Sequence, residues 1–187
     1  MKMNFIELAK SRQSIRSFKS DDVPDNLLIQ LIEAAQAAPS AGNCQPWHFY
    51  IIKDKAMIQR VREKSCRQAF IESAPVLIVV CADIVRTEER YKKRGRELYC
   101  IQDTAAAIQN ILLCAQSLGL GTCWCGHFGE KAIAEILNLD NEMHPLAVIA
   151  IGYPKTKPKK IGRRSIEEIA TFINSTQEDD SNLHPNY

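Results

Sequence analysis

The sequence predicts an α+β protein built as three layers, helices on either side of a central sheet. Residues 75–82 (PVLIVVCA) and 145–154 (PLAVIAIGYP) are apolar runs containing several β-branched residues, the pattern of strands buried on both faces. Residues 97–118 place Leu98, Ile101, Ala105, Ile108, Leu112, Ala115 and Leu118 at helical spacing, the strongest periodicity in the chain. Around these three segments, helical and strand-like stretches alternate without any internal repeat.

In chain order, residues 25–38 form the first clear helix. Leu27, Leu28, Leu31, Ile32 and Ala35 make one apolar stripe, with Asp21, Asp22 and Asp25 near its positive end and Pro39 stopping it. PSAGNCQPW is a loop by its Pro, Ser, Gly and Asn content, and WHFYIIK is the next strand. A helix precedes the 75–82 strand, and a short, highly charged segment, 83–96, follows it. The long helix 97–118 carries Ala105, Ala106 and Ala107 together, so neighbours can approach it closely; Gly119 supplies its cap. A turn-rich stretch with a short strand (119–129), a helix (130–138) and the 145–154 strand complete the body. Beyond Thr171 the chain turns polar and ends EDDSNLHPNY.

The chain has 187 residues, 45% of them hydrophobic and 25% charged, which excludes wholesale disorder and favours one domain. Its 24 Lys+Arg balance 22 Asp+Glu, which excludes nucleic-acid binding driven by overall charge. The charge is uneven: residues 155–164 (KTKPKKIGRR) hold six bases and no acid. Such a strip is either a solvated surface loop or a place for a phosphate group, which Arg and Lys hold by charge-assisted hydrogen bonds. Seven cysteines form no CxxC and no even framework, and no signal peptide opens the chain, so a reduced cytoplasmic protein is expected. No apolar run is long enough to cross a bilayer.

Side-chain chemistry is sparse. No GxGxxG, GxxxxGK[ST] or GxSxG occurs, the four histidines are scattered, and no pair of carboxylates stands out. Cys123, Cys125 and His127 lack the spacing of a zinc site, and no metal is expected. What remains is anion binding. In SRQSIRSF, an extended backbone points Arg12, Ser14 and Arg16 to one face, two guanidiniums and a hydroxyl suited to a phosphate. Taken alone, RxSxR is equally an ordinary basic surface. Anion-binding elements without a proton-transfer set fit a cofactor that carries the reaction itself.

RQSIR, APSAGNCQPWHF, APVLIVVCAD, DTAAAIQNILLCAQSLGLGTCWCG, VIAIGYP and a basic stretch before SIEEIATF occur in that order. Together they resemble the FMN-dependent nitroreductase superfamily over residues 5–172. The resemblance implies a mixed central sheet wrapped by helices and a homodimer with FMN sites at its interface. It implies one domain over residues 1–172, with 155–172 reaching the partner subunit, and a polar tail over 173–187. Carried over residue by residue, Arg12 and Ser14 hold the phosphate and ribityl end of FMN, Gln13 between them belongs to the cofactor-binding set, and Arg16 sits near the pyrimidine edge. Arg163 matches the late phosphate-binding base, with Arg164 and Lys160 as neighbours in register. Pro39, Ser40, Ala41 and Asn43 come from the other subunit, and Trp124, Cys125 and Gly126 match the turn along the flavin. Gln68 touches the pyrimidine ring.

The implied activity is a ping-pong transfer of two electrons from NADH or NADPH, through FMN, to a nitroaromatic, quinone or similar acceptor. No protein residue acts as nucleophile; the chemistry lies at the flavin N5, supported by Arg16, Cys125 and Gly126. Alternatives are a reductive dehalogenase, a flavin-cleaving or enoate-type reductase of the same fold, or a non-catalytic FMN-binding dimer. Cys125 and Gly126 lack the hydroxyl that dehalogenating relatives place near the flavin. The 83–96 segment leaves the substrate pocket open, completes it as a lid, or is a solvated face.

Overall fold

A computed structural model gives the architecture and describes residues 4–173. Helix α1 (Phe5–Ser11) starts at a capping box: Asn4 Oδ1 accepts the Glu7 N–H at 2.9 Å, and the Glu7 carboxylate accepts the Asn4 N–H at 3.0 Å. Helix α2 (Asp25–Gln36) buries Leu28, Leu31 and Ala35 from the expected stripe. Asp22 and Asp25 do more than face a helix dipole. Their carboxylates receive Lys53 Nζ at 3.3 and 2.8 Å and so tie the start of α2 to the end of strand β1 (Trp47–Ile52). Helix α3 (Lys55–Lys64) is capped by Asp54, which accepts the Met57 N–H at 2.8 Å.

Strand β2 (Val76–Asp83) is buried from Val76 to Ala82, as a strand covered on both faces must be. The charged segment behind it is an ordered helix, α4 (Ile84–Arg94), which buries Ile84 and Thr87. A π-helical turn (Gly95–Tyr99) then leads into α5 (Cys100–Ser117), so the long helix starts three residues later than its periodicity suggests. The cause is local. Thr87 Oγ1 donates between the carbonyls of Ile84 and Gly95, at 3.2 and 3.1 Å, and a Cβ on Gly95 would stand 2.1 Å from the Thr87 oxygen. Strand β3 (Gly121–Cys125), helix α6 (Glu130–Leu137) and strand β4 (Met143–Gly152) follow, with left-handed Asn138 ending α6.

The sheet runs β1-β2-β4-β3, and every neighbouring pair is antiparallel. The expected mixed sheet is thus antiparallel through its four strands; among the described residues its parallel component is the Ser14–Thr122 bridge, where the chain leaving α1 enters beside β3. Leu77, Val79 and Cys81 with Val148 and Ala150 share a core with residues of α3 and α6. Val76, Ile78 and Val80 with Ala147, Ile149 and Ile151 share another with α2 and α5. These two cores make the three layers, and each fully buried Val or Ile contributes about 1.5–3 kcal/mol.

Residues 155–173 form neither strand nor helix beyond one turn, in which Ala170 N–H reaches Ile166 O at 2.9 Å. The base of this arm is fixed by the Phe18–Pro154 bridge and by Lys155 N–H to Ser17 O at 2.9 Å. Further out it leaves Ile166, Ile169 and Phe172 exposed at 62, 62 and 84%. The expected polar tail lies, apart from Ile173, outside the described residues. Among the described residues no helix is long and apolar enough to cross a membrane.

Candidate functional site

The site is assembled where the N-terminal segment lies against β3. A Cβ on Gly121 would stand 2.7 Å from Ile15 Cγ1 and 2.9 Å from Pro154 Cγ. Glycine at that position therefore lets both the N-terminal segment and the base of the arm close on the strand. Ile15 N–H donates to Thr122 O at 2.8 Å and fixes the register. Flanking residues are thereby turned into a concavity of about 840 Å³ between α1 and the arm.

Arg12, Gln13, Ser14 and Arg16 all line that concavity, and Lys159, Lys160 and Arg163 face them from the arm. The two basic elements that the sequence places some 150 residues apart are side by side. No carboxylate pairs with Arg12, Arg16, Lys159, Lys160 or Arg163 among the described residues. Arg16 lies over the Phe70 ring, 6.0 Å from its centroid. Arg164 is directed elsewhere: its Nη2 donates to Glu168 O, and it does not line the cavity.

Trp124, Cys125 and Gly126 end β3. Trp124 is 39% exposed, Cys125 is buried, and Gly126 is exposed. The Cys125 thiol points to the α3/α6 side and lies 3.8 Å from Gln68 Oε1, so Gln68 joins this end of the strand. Two residues earlier, the hydrogen bond from Cys125, then the Arg16 charge, draws the Cys123 thiol below the ordinary value. His127 is exposed while both cysteines are buried, so the C-x-C-x-H residues do not converge.

Pro39, Ser40, Ala41 and Asn43 do not line the cavity of their own chain. Their loop carries left-handed backbone at Gly42, Asn43 and Gln45 and is held from behind. Ala41 N–H donates to Asp103 Oδ1 at 3.0 Å, Arg90 Nη1 to Gly42 O at 2.9 Å, and Arg86 Nη1 to Cys44 O at 3.3 Å. The charged segment 83–96 thus braces a loop. Asp103 is 7% exposed and its Oδ2 has no hydrogen-bond partner among the described residues, and burial pushes its carboxyl up. Sequence reasoning missed Asp103 and Phe70, whose local sequence does not distinguish them from ordinary helix and turn residues; Lys159 was covered only as part of the 155–164 basic strip. A second concavity of about 830 Å³, beside Lys19, Lys55 and Lys155, contains none of the expected residues.

The nitroreductase family profile matches residues 9–66 and 55–153. The chain belongs to the nitroreductase family. A putative NADH dehydrogenase/NAD(P)H nitroreductase of Methanothermobacter thermautotrophicus is 35% identical over 161 residues, 84% of this chain and 81% of the relative. The iodotyrosine deiodinase of Thermotoga neapolitana is 27% identical and covers 89% of this chain and 96% of its own length. An FMN-dependent nitroreductase of Clostridium difficile R20291 superposes with a TM-score of 0.77 at 27% identity, covering 91% of this chain and all of that one. Within this nitroreductase-family chain, the matched span contains Arg12–Arg16 and Trp124–Cys125–Gly126, whereas Arg163 lies on the arm beyond it.

Proposed function

We propose that this chain is an FMN-dependent oxidoreductase that passes two electrons from NADH or NADPH to a small acceptor such as a nitroaromatic or a quinone. The observation that carries the reading is the cavity in which Arg12, Arg16, Lys159, Lys160 and Arg163 converge without a carboxylate among the described residues. With Lys10, six cations that have no carboxylate partner among the described residues surround about 840 Å³, which fits a phosphate-bearing ligand of cofactor size. The nitroreductase relatives, one of them named FMN-dependent, point to the same ligand.

Arg12, Ser14 and Arg163 bind the phosphate, with Lys160 alongside. When bound, FMN would supply two-electron redox chemistry between NAD(P)H and the acceptor. Arg16 stabilises negative charge at the pyrimidine edge, an electrostatic contribution larger in a partly desolvated site than in bulk water. Cys125 and Gly126 present backbone along the ring, and Gln68 stands beside them. The loop of Pro39, Ser40, Ala41 and Asn43 closes the site of the partner subunit in a homodimer. Donor and acceptor use the same open face in turn, which gives ping-pong kinetics. Similarity to a deiodinase supports a second reading, reductive dehalogenation. The absence of a hydroxyl at Cys125 and Gly126 weighs against it.

The test is an anaerobic visible spectrum of the purified protein before and after NADH or NADPH. A flavin spectrum that bleaches is expected; no flavin after incubation with FMN overturns the reading. Turnover of a halogenated phenol without nitro reduction selects the second reading. The double variant R12A/R163A removes two charge-assisted contacts of at least about 1.5 kcal/mol each. FMN affinity is expected to fall roughly a hundredfold, read by flavin fluorescence.

A further inference from the structure

The second concavity, of about 830 Å³, shares no lining residue with the one between α1 and the arm. Four separated pieces of chain meet there: residues 18–20, the start of α3, the 72–75 turn before β2, and Lys155 at the base of the arm. Two hydrogen bonds hold the first and last of these side by side, Lys19 N–H to Tyr153 O at 2.8 Å and Lys155 N–H to Ser17 O at 2.9 Å. Phe18, Ile58 and Ala74 are buried beneath the concavity, with Pro75 half-buried beside them, so its floor is apolar. Gly152 stands behind that floor. A Cβ there would lie 2.6 Å from Pro75 Cδ and 3.1 Å from Phe18 Cδ1, so glycine lets both close on the end of β4.

The rim is cationic. Lys19, Lys55 and Lys155 are exposed, and none of them has a carboxylate partner among the described residues. Lys53, two residues before Lys55, is by contrast spent on Asp22 and Asp25. Glu72, the acidic residue of the lining, already faces Arg62 Nε at 3.6 Å. An apolar floor edged by a few polar groups, in this volume range, is the make-up of a small-molecule pocket. The charges select the ligand. Lysine ammonium groups act as point charges and hold phosphate or carboxylate without a forked geometry. Three of them against one carboxylate that is itself paired exceed the charge of a monoanion. They match a phosphate monoester, which is close to a dianion at neutral pH.

We propose that this concavity is a second ligand site, which takes an organic phosphate monoester. The phosphate lies among Lys19, Lys55 and Lys155, and the apolar body of the ligand covers Phe18, Ile58 and Pro75. The site stands apart from the FMN reading, because none of its residues belongs to the cavity proposed for the cofactor.

Phenyl phosphate is the probe, measured by equilibrium dialysis against FMN-loaded protein, in which the first cavity is filled. Saturable binding is expected, with no FMN released. Inorganic phosphate lacks the apolar body and benzoate lacks the second charge; each is expected to bind at least about tenfold more weakly. K19Q/K155Q and K55Q remove charge from different elements. Each is expected to weaken phenyl phosphate at least about tenfold while leaving FMN affinity unchanged, and either suffices if the other fails to fold. Acetic anhydride labelling, mapped by peptide, is expected to show Lys19, Lys55 and Lys155 protected by phenyl phosphate, and Lys159 and Lys160 not. No saturable binding, an affinity that neither variant lowers, benzoate bound as tightly, or displacement of FMN overturns the proposal. The R12A/R163A protein without FMN separates the two readings. It is expected to bind phenyl phosphate as the parent does, even if the parent takes up no FMN; loss of binding there puts the anion in the first cavity and overturns the second site.

Discussion

Asp103 stands in the first turn of α5 with one carboxylate oxygen on the Ala41 N–H and the other without a partner among the described residues. Burial raises its carboxyl, and the Ala41 hydrogen bond pulls the other way with less effect. The folded chain therefore holds this proton more tightly than the unfolded chain. Its contribution is fully present below the unfolded carboxylate value and is lost as pH rises through the raised folded value. Asn keeps the acceptor and removes the charge, so D103N is expected to unfold at a higher temperature than the parent at about pH 8, with the gap closing near about pH 4. D103A leaves the Ala41 N–H unpaired and is expected to cost about 1–3 kcal/mol by urea unfolding. At this scale the sequence was partly legible. Arg12, Ser14 and Arg16 were readable because alternate residues of an extended segment share a face. Asp103 was not, because it acquires its meaning from a residue about sixty positions away, Ala41.

Among the elements, β2 and β4 could be read directly because strands buried on both faces admit little but Val, Ile, Leu and Ala. The π-helical turn could not be, because Gly95 is helical in φ and ψ and its requirement comes from the carbonyl of Thr87 in the preceding helix. G95A is expected to lose about 1–3 kcal/mol by overpacking, read as a lower urea midpoint with unchanged slope. The charge of α4 was equally misleading in sequence. A run of Arg, Lys and Glu reads as a solvated face or a lid, yet Arg86 and Arg90 are spent on carbonyls of the 42–44 loop. That loop, with three left-handed residues, needs outside support to persist.

For the whole molecule, the arm is the decisive feature. Ile161, Ile166, Ile169, Phe172 and Ile173 are at least 62% exposed on a segment with no regular element of its own. A cluster of this kind marks a contact surface; a second copy of the chain is the occupant that the expected homodimer supplies. Ending the chain at Pro154 is expected to give a monomer by sedimentation velocity that retains no FMN, since Lys160 and Arg163 leave with the arm. A truncated chain that stays dimeric and yellow overturns the exchange of arms.

The strand order has a consequence for synthesis. β4 lies between β2 and β3, yet it is the last of the described strands to be translated. Until residues 143–152 leave the ribosome, β2 has β1 as its strand neighbour and β3 has the single Ser14–Thr122 bridge among the described residues. A nascent chain three-quarters complete therefore exposes the most apolar edge of the sheet. Pairings this distant in sequence close slowly, so the unfinished chain is the stage at which unpaired apolar edges favour aggregation.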